Sequence, residues 1–332
     1  MMGDVLVKDY RGNVLENVHP GHICIIDYNG KIKYDVGDNQ HITYMRSSAK
    51  PLQAIPVIKY GFDKKYGYTD KETTILAASH WGEPFHIAAI ESIIAKLNIT
   101  EDDLIMLPTY PINVKAREAL LKANKPARRV YHNCSGKHLG ILTLSKGMGY
   151  ETEGYWKIDH PAQQEILRHV AYMAEYDKDE VKIGVDGCGV PVFAMPLYNL
   201  AKAFLRMACP ELIKDDEIRM AVIRLTKLMN ENSEMIGGTG TICSNLLMDD
   251  NIVAKGGAQG VYCFGLKKEK LGIALKVMDG TENNWGIIVA SILEQIGYDN
   301  KKTISRLYNV FPTDIKNDNN IVVGRKEAVF RI

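Results

Sequence analysis

The stretch Met45-Arg46-Ser47-Ser48-Ala49-Lys50-Pro51 stands where one kind of sequence gives way to another. Upstream the chain reads as strands: residues 5–8 and 14–18 flank Tyr10-Arg11-Gly12-Asn13, and 22–27 and 31–36 flank Tyr28-Asn29-Gly30. Asn-Gly supplies the positive φ angles of a tight hairpin. Downstream, Leu52, Ile55, Ile58 and Tyr60 recur at roughly helical spacing, so a helix is expected to start near Ser47. Further helices are expected over 86–97, 113–123, 137–145, 196–209 and 215–230. Another should run from Pro161 to about Tyr176, with Asp159 as its cap and proline in its first turn. Residues 183–185 read as a short buried strand. Strands return at 252–254, 261–266 and 272–278, before a late helix at 284–297. Strands, many helices, strands and a helix make an α+β fold, with an antiparallel sheet from both chain ends packed with a helical middle region. No composition shift or Pro/Gly/Ser-rich linker interrupts residues 1–332, so one catalytic domain is expected.

Composition narrows the function classes. A net charge of +1 gives no reason to expect a nucleic-acid or acidic-membrane partner. No run of about 18 apolar residues offers a spanning helix. The start, Met1-Met2-Gly3-Asp4-Val5, has no basic segment followed by an apolar run, so a cytoplasmic protein is expected. The six cysteines are widely spaced, and a reducing compartment would leave them as thiols or metal ligands.

Ser47 and Lys50 form Ser-x-x-Lys. On a helix, positions i and i+3 share a face, so the lysine amine can reach the serine hydroxyl. A lysine acting as base must be neutral, and its pKa must fall by roughly 3 units, at about 4 kcal/mol. By itself the motif is a helix cap and a surface lysine, since chance alone supplies about one such match in a chain this long. Lys255-Gly256-Gly257 follows a late strand, and its glycines would let a substrate backbone approach the strand edge. A lysine and glycines there, with Ser-x-x-Lys near the start, resemble the Lys-Thr-Gly arrangement of penicillin-recognising enzymes. The pair in this order is more specific than either part.

Ser79 lies in the polar loop Ser79-His80-Trp81-Gly82-Glu83-Pro84, as a presented hydroxyl or as a helix cap. His80 alone reads as structural. Cys134 and Lys137 lie in Asn133-Cys134-Ser135-Gly136-Lys137-His138, and Cys188 in Asp186-Gly187-Cys188-Gly189-Val190-Pro191. Two cysteines, a lysine and water could hold zinc, but on spacing alone inert buried thiols explain them better. Gly237-Gly238-Thr239-Gly240-Thr241 lacks the Gly-Lys-Ser/Thr ending of a phosphate loop, which excludes nucleotide binding there.

Seven stretches in order resemble one family: RSSAKP at 46–51, SHWGEP at 79–84, NCSGKH at 133–138, DHPAQQ at 159–164, DGCGVP at 186–191, GGTGT at 237–241 and KGGAQGV at 255–261. They are similar to the rhizobial-type L-asparaginase II family, whose fold is serine β-lactamase-like. The resemblance implies hydrolysis of L-asparagine to L-aspartate and ammonia, and a homodimer. It implies two serine-lysine pairs, Ser47 with Lys50 and Ser79 with Lys255. It also implies one zinc ion (Zn2+) per chain on Cys134, Lys137 and Cys188.

On that resemblance neutral Lys50 would take the Ser47 proton, while Ser79 relays a proton to departing ammonia. Cationic Lys255 would help keep Lys50 neutral. Asp186 is the expected partner of the substrate α-ammonium, Arg46 of a carboxylate, and His138 completes the expected substrate-binding set. Two departures stand out. Relatives read Gly-Ala-Glu-Gly where this chain has Gln259, and they carry Arg and Asp after the glycine-rich segment, near Thr241 and Cys243. The alternatives are a glutaminase or other Ser-x-x-Lys acyl hydrolase on the same fold, or a non-catalytic amino-acid- or zinc-binding protein.

Overall fold

The computed structural model describes residues 3–332. Its strands are β1 (Asp4–Arg11), β2 (Val14–Ile26), β3 (Ile32–Val36), β4 (Ile42–Tyr44), β5 (Lys182–Val185), β6 (Pro191–Pro196), β7 (Ile252–Gly256), β8 (Val261–Leu266), β9 (Leu271–Val277), β10 (Asp314–Lys316) and β11 (Val322–Ala328). Eight of them form a sheet in the order β10-β11-β1-β2-β9-β8-β7, with β3 also paired to β2. All its pairings are antiparallel. β11 lies along β1, with Val7 opposite Ala328, so the sheet joins the two chain ends as the element order implied. A three-stranded sheet, β4-β6-β5, lies apart from it. The helices between β4 and β7 make the expected helical middle.

Several local expectations need correcting. Residues 14–18 and 22–27 belong to one strand, β2, which pairs first with β1 and then with β9 and β3. β5 is not buried: it is the edge of the small sheet, and Val185 is 79% exposed. The helix Pro161–Ala174 is capped by His160 rather than Asp159; the His160 Nδ1 accepts from the Ala162 N–H at 3.1 Å.

The sheet is covered on both faces near the site. The helix Leu197–Ala208 packs on β8, β9 and β2. Gly265 and Gly272 face each other across β8 and β9, beneath that helix. A methyl group on either would lie 2.4 Å from the Phe204 carbonyl oxygen or 2.2 Å from that of Ala201. Only glycine permits this approach, which lets Phe204 and Leu205 bury completely. Burial of such side chains contributes about 2 kcal/mol each. On the other face, Tyr262 meets Trp285, ring centres 5.2 Å apart, at the start of the helix Trp285–Gln295. Strands buried on both faces carry continuous apolar runs, and β8 reads that way. β7 is the edge of this covered region and carries Lys255, itself buried, toward the helical middle.

Candidate active site

Residues Arg46–Ala49 form a single 3₁₀ turn that runs into the helix Lys50–Lys59. Pro51 suits the first turn, where its missing N–H costs nothing. Arg46 holds a positive φ of 49°, a left-handed conformation that costs a non-glycine residue on the order of 1 kcal/mol or more. Its guanidinium Nε donates to Asp186 Oδ1 at 3.0 Å, which helps hold the turn. Ser48 points inward and donates to the Met45 carbonyl at 2.7 Å. Ser47 is half-buried and faces a cavity.

Ser79 is placed by a clamp between two of the sequence motifs. Its N–H donates to the Ile236 carbonyl at 2.9 Å, and the Trp81 N–H donates to the Gly237 carbonyl at 2.8 Å. Glu83 accepts from the Thr239 N–H at 2.7 Å and from the Thr239 hydroxyl at 2.9 Å. The glycine-rich segment therefore binds a neighbouring loop of this chain. His80 is fully buried, bonded to Ser135 Oγ at 2.7 Å and stacked on His86, a structural position. Gly136 is required here too: a methyl group would lie 2.1 Å from the Ile75 carbonyl oxygen.

The two lysines converge on one oxygen. Lys50 Nζ donates to Ser79 Oγ at 2.9 Å, and Lys255 Nζ donates to the same atom at 3.0 Å. Lys50 also donates to the Asn133 carbonyl at 3.3 Å, and Lys255 to the Gly256 carbonyl at 2.7 Å. Both amines are buried, and burial pushes both below the ordinary lysine value, Lys255 to about 8. The hydrogen bond anticipated between Lys50 and Ser47 is not formed. The amine instead satisfies itself on the Ser79 hydroxyl and the Asn133 carbonyl, two oxygens on other segments.

Ser47, Ser79 and Lys255 line one cavity of ≈ 410 Å³. Trp81, Ile112, Trp285 and Phe311 form its apolar walls; Asn133 and the Gly256–Gly257 edge of β7 complete it near the serines. Glu282 also lines it, a carboxylate that no motif had marked. Thr241 caps the helix Ile242–Leu247 and accepts from the Ser244 N–H at 3.3 Å. Cys243 takes the Gly256 N–H on its sulfur at 3.2 Å. The two departures near the glycine-rich segment are thus absorbed into a cap and a strand-edge contact.

The cysteine motifs meet beside Lys50. Lys137 Nζ donates to Cys188 Sγ at 2.9 Å and to Asp186 Oδ2 at 3.3 Å. Cys134 is held well below its ordinary thiol range by a hydrogen bond with Cys188 and by the neighbouring Lys50 and Lys137 amines. Cys188 is pushed up by the same hydrogen bond and by burial. Burial lowers Lys137, but the Cys134 and Cys188 sulfurs and Asp186 outweigh it and raise the amine above its usual value. Among the described residues no group of three or more His, Cys, Asp or Glu side chains is arranged to hold a metal. The donor set here is two sulfurs, an amine and a carboxylate, and the amine is needed to complete it.

The expected substrate-binding residues sit elsewhere. Arg46 lines a neighbouring cavity of ≈ 470 Å³, with His41, Lys182, Gln259 and Lys276. Asp186 is held by Arg46 and Lys137, and His138 is fully buried with its Nδ1 2.8 Å from the Tyr155 hydroxyl. Neither lines the cavity of the serines.

Comparison with known proteins places this geometry in a family. No curated protein matches the chain. It is similar to a Mycobacterium bovis β-lactamase at 12% identity, over 82% of this chain and 94% of that one, with a TM-score of 0.41. A penicillin-binding protein homologue from Pyrococcus abyssi shares 17% identity over 89% and 76%, with a TM-score of 0.43. A Bacillus glutaminase shares 12% over 83% and 91%, with a TM-score of 0.38. Likeness at these scores decides nothing about this chain. The family match does: the L-asparaginase II model fits residues 7–328, and the chain belongs to that family of L-asparagine amidohydrolases.

Proposed function

We propose that this L-asparaginase works through Ser47 as nucleophile, with Ser79 as proton relay and Lys50 as base. The convergence of Lys50 and Lys255 on Ser79 Oγ, in the cavity that Ser47 lines, carries this reading. Ser47 Oγ attacks the side-chain amide carbon, and its proton passes to Ser79 as the Ser79 proton passes to neutral Lys50. The developing oxyanion is met by backbone N–H groups at the start of the turn, each good donor being worth about 3–4 kcal/mol. The C–N bond breaks as the proton returns through Ser79 to the nitrogen, and ammonia leaves. Water then attacks the aspartyl ester, releasing aspartate and restoring the Ser47 hydroxyl. Lys255 orders the Ser79 oxygen throughout. The two lysine bonds to Ser79 also favour a second reading, in which Ser79 itself attacks.

The two readings separate on the acyl-enzyme. An acid-quenched reaction digested to peptides should carry the aspartyl ester on Ser47, and an ester on Ser79 selects the second. Ser47→Ala should lose at least 10³-fold in kcat. Wild type should release ammonia from asparagine in preference to glutamine, and open no chromogenic β-lactam.

The single domain, the zinc site, the homodimer and the cytoplasmic location belong to the same proposal. Cys134 and Cys188 fit zinc by their donor chemistry, and Lys137 would join them, beside Lys50, on giving up the proton that the two sulfurs and Asp186 hold on it. Zinc held there would supply Lewis acidity beside the serines. Among the described residues all six cysteines are free thiols, as in a reducing compartment, and no helix is long and apolar enough to cross a membrane. Sedimentation at micromolar concentration tests the dimer.

A further inference from the structure

Among the described residues lining the cavity of the two serines, Glu282 is the only carboxylate. It sits just before the helix Trp285–Gln295, exposed at the cavity wall. One of its oxygens accepts from the Gln259 N–H at 3.3 Å, which points the group back toward the turn between β7 and β8. Lys255 and Arg46 are the cations it faces, but neither approaches within ion-pair distance among the described residues. Its charge is therefore available to a ligand. Asp186 is the opposite case: Arg46 and Lys137 both hold it, at 3.0 and 3.3 Å, outside this cavity.

The substrate supplies the complementary group. In asparagine the α-nitrogen is three bonds from the side-chain amide carbon, about 4 Å when extended. With that carbon at the serines, the α-ammonium lies inside the same cavity, which Glu282 also lines. An ammonium hydrogen-bonded to a carboxylate at a cavity wall is worth about 1.5–3 kcal/mol as a charge-assisted hydrogen bond, a factor of about 10–100 in affinity. We infer that Glu282 is the binding residue for the α-ammonium of the amino-acid substrate, and that it makes the enzyme prefer α-amino over desamino amides. This inference rests on the L-asparaginase reading of the cavity and adds to it the group that selects an amino acid.

Equilibrium binding tests it without turnover. Titration calorimetry at near-neutral pH should show wild type binding L-aspartate about 10–100-fold more tightly than succinate, which lacks only the amine. Glu282→Gln should bring that ratio close to one, and Glu282→Asp should restore part of it. In steady state Glu282→Gln should raise KM for asparagine by the same factor, with kcat held within about threefold. Circular dichroism and Tm matched to wild type establish that the variant is folded; an unchanged aspartate-to-succinate ratio in a folded Glu282→Gln overturns the inference. So does loss of the ratio in Asp186→Asn with its retention in Glu282→Gln. A wild type that keeps the binding ratio but releases no ammonia from asparagine refutes the reaction and leaves the ammonium site standing.

Discussion

Three buried lysines lie close together in this enzyme, and they divide into two regions. Around the serines, Lys50 and Lys255 share one hydroxyl oxygen and each donates to its own backbone carbonyl, with no carboxylate in contact with either amine. Around the cysteines, Lys137 touches a sulfur and the Asp186 carboxylate. Burial acts on all three in the same direction, against the charged amine. Only around Lys137 do anions outweigh it and raise the amine. The cysteine region is a satisfied ionic knot; the serine region brings no carboxylate into contact with its two amines, so their ammonium forms give up a proton more readily than an ordinary lysine does. One fold makes both from lysine by where it puts its carboxylates.

The largest effect expected from breaking this contrast is on catalysis. Lys50→Met removes the amine that bonds Ser79 and should lower kcat/KM by at least 10³-fold while the protein stays folded. Ammonia release measured beside the far-ultraviolet spectrum checks it. A loss of less than tenfold breaks the assignment of Lys50 as base.

Stability should separate the two regions by sign. Lys137→Met leaves Asp186 and the Cys188 sulfur without their amine, and loss of one partner from a buried pair costs about 3–5 kcal/mol. Lys255→Met removes a buried amine whose depressed pKa, about 8 against 10.5, corresponds to about 3 kcal/mol of unfavourable charge burial. It should therefore raise Tm while lowering activity. The sign follows from linkage. The folded state binds the Lys255 proton less tightly than the unfolded chain, so the cost is fully present below about 8. It is relieved as pH rises from there toward 10.5. Denaturant melts of both variants at neutral pH should move in opposite directions. A fall in stability for both would show that the serine region also depends on its charge for folding.

A smaller effect lies in the alkaline limb of the rate. Lys255 orders Ser79 in its charged form, so activity should fall as pH passes upward through about 8, by roughly tenfold per unit beyond it. Arginine stays charged in that range, so Lys255→Arg should flatten the limb even where its longer fork lowers the plateau. An alkaline limb unchanged in Lys255→Arg assigns it to another group.

Much of this was legible from residue order, and the reasons differ by element. The sheet from both ends followed from strands at 5–36 and 252–278, because β8 and β9 are buried on both faces and their apolar runs are continuous. β11, Val-Val-Gly-Arg-Lys-Glu-Ala, was not legible: it is half-exposed beside β1 and carries no alternating apolar pattern. The motif residues Ser47, Ser79 and Lys255 do meet, because a 3₁₀ turn, a loop and the end of β7 carry them to one cavity. The partner of Lys50 was misread, since Ser-x-x-Lys spacing reports only neighbours along one turn. Ser79 and the Asn133 carbonyl come from segments 29 and 83 residues away. Glu282 was missed for a related reason: Thr281-Glu282-Asn283-Asn284 is an unremarkable polar turn, and only the fold places it against the cavity.

The smallest expected effect on rate concerns the ionic knot itself. If Cys134, Lys137 and Cys188 hold zinc, purified enzyme should carry about one equivalent per chain by elemental analysis, and Cys188→Ser should carry almost none. Removing that sulfur also removes the hydrogen-bond partner of Lys137 at 2.9 Å, so Tm should fall whether or not metal was bound. Activity is the discriminating reading. The proton path drawn through Ser79 and Lys50 contains no metal, so Cys188→Ser should keep kcat within about tenfold, with most of its loss in KM. A collapse of kcat beyond 10²-fold, restored by added zinc in wild type stripped with chelator, would join the two regions into a single catalytic unit. Their separation by carboxylate placement would then describe how the chain folds, and no longer how it divides its chemistry.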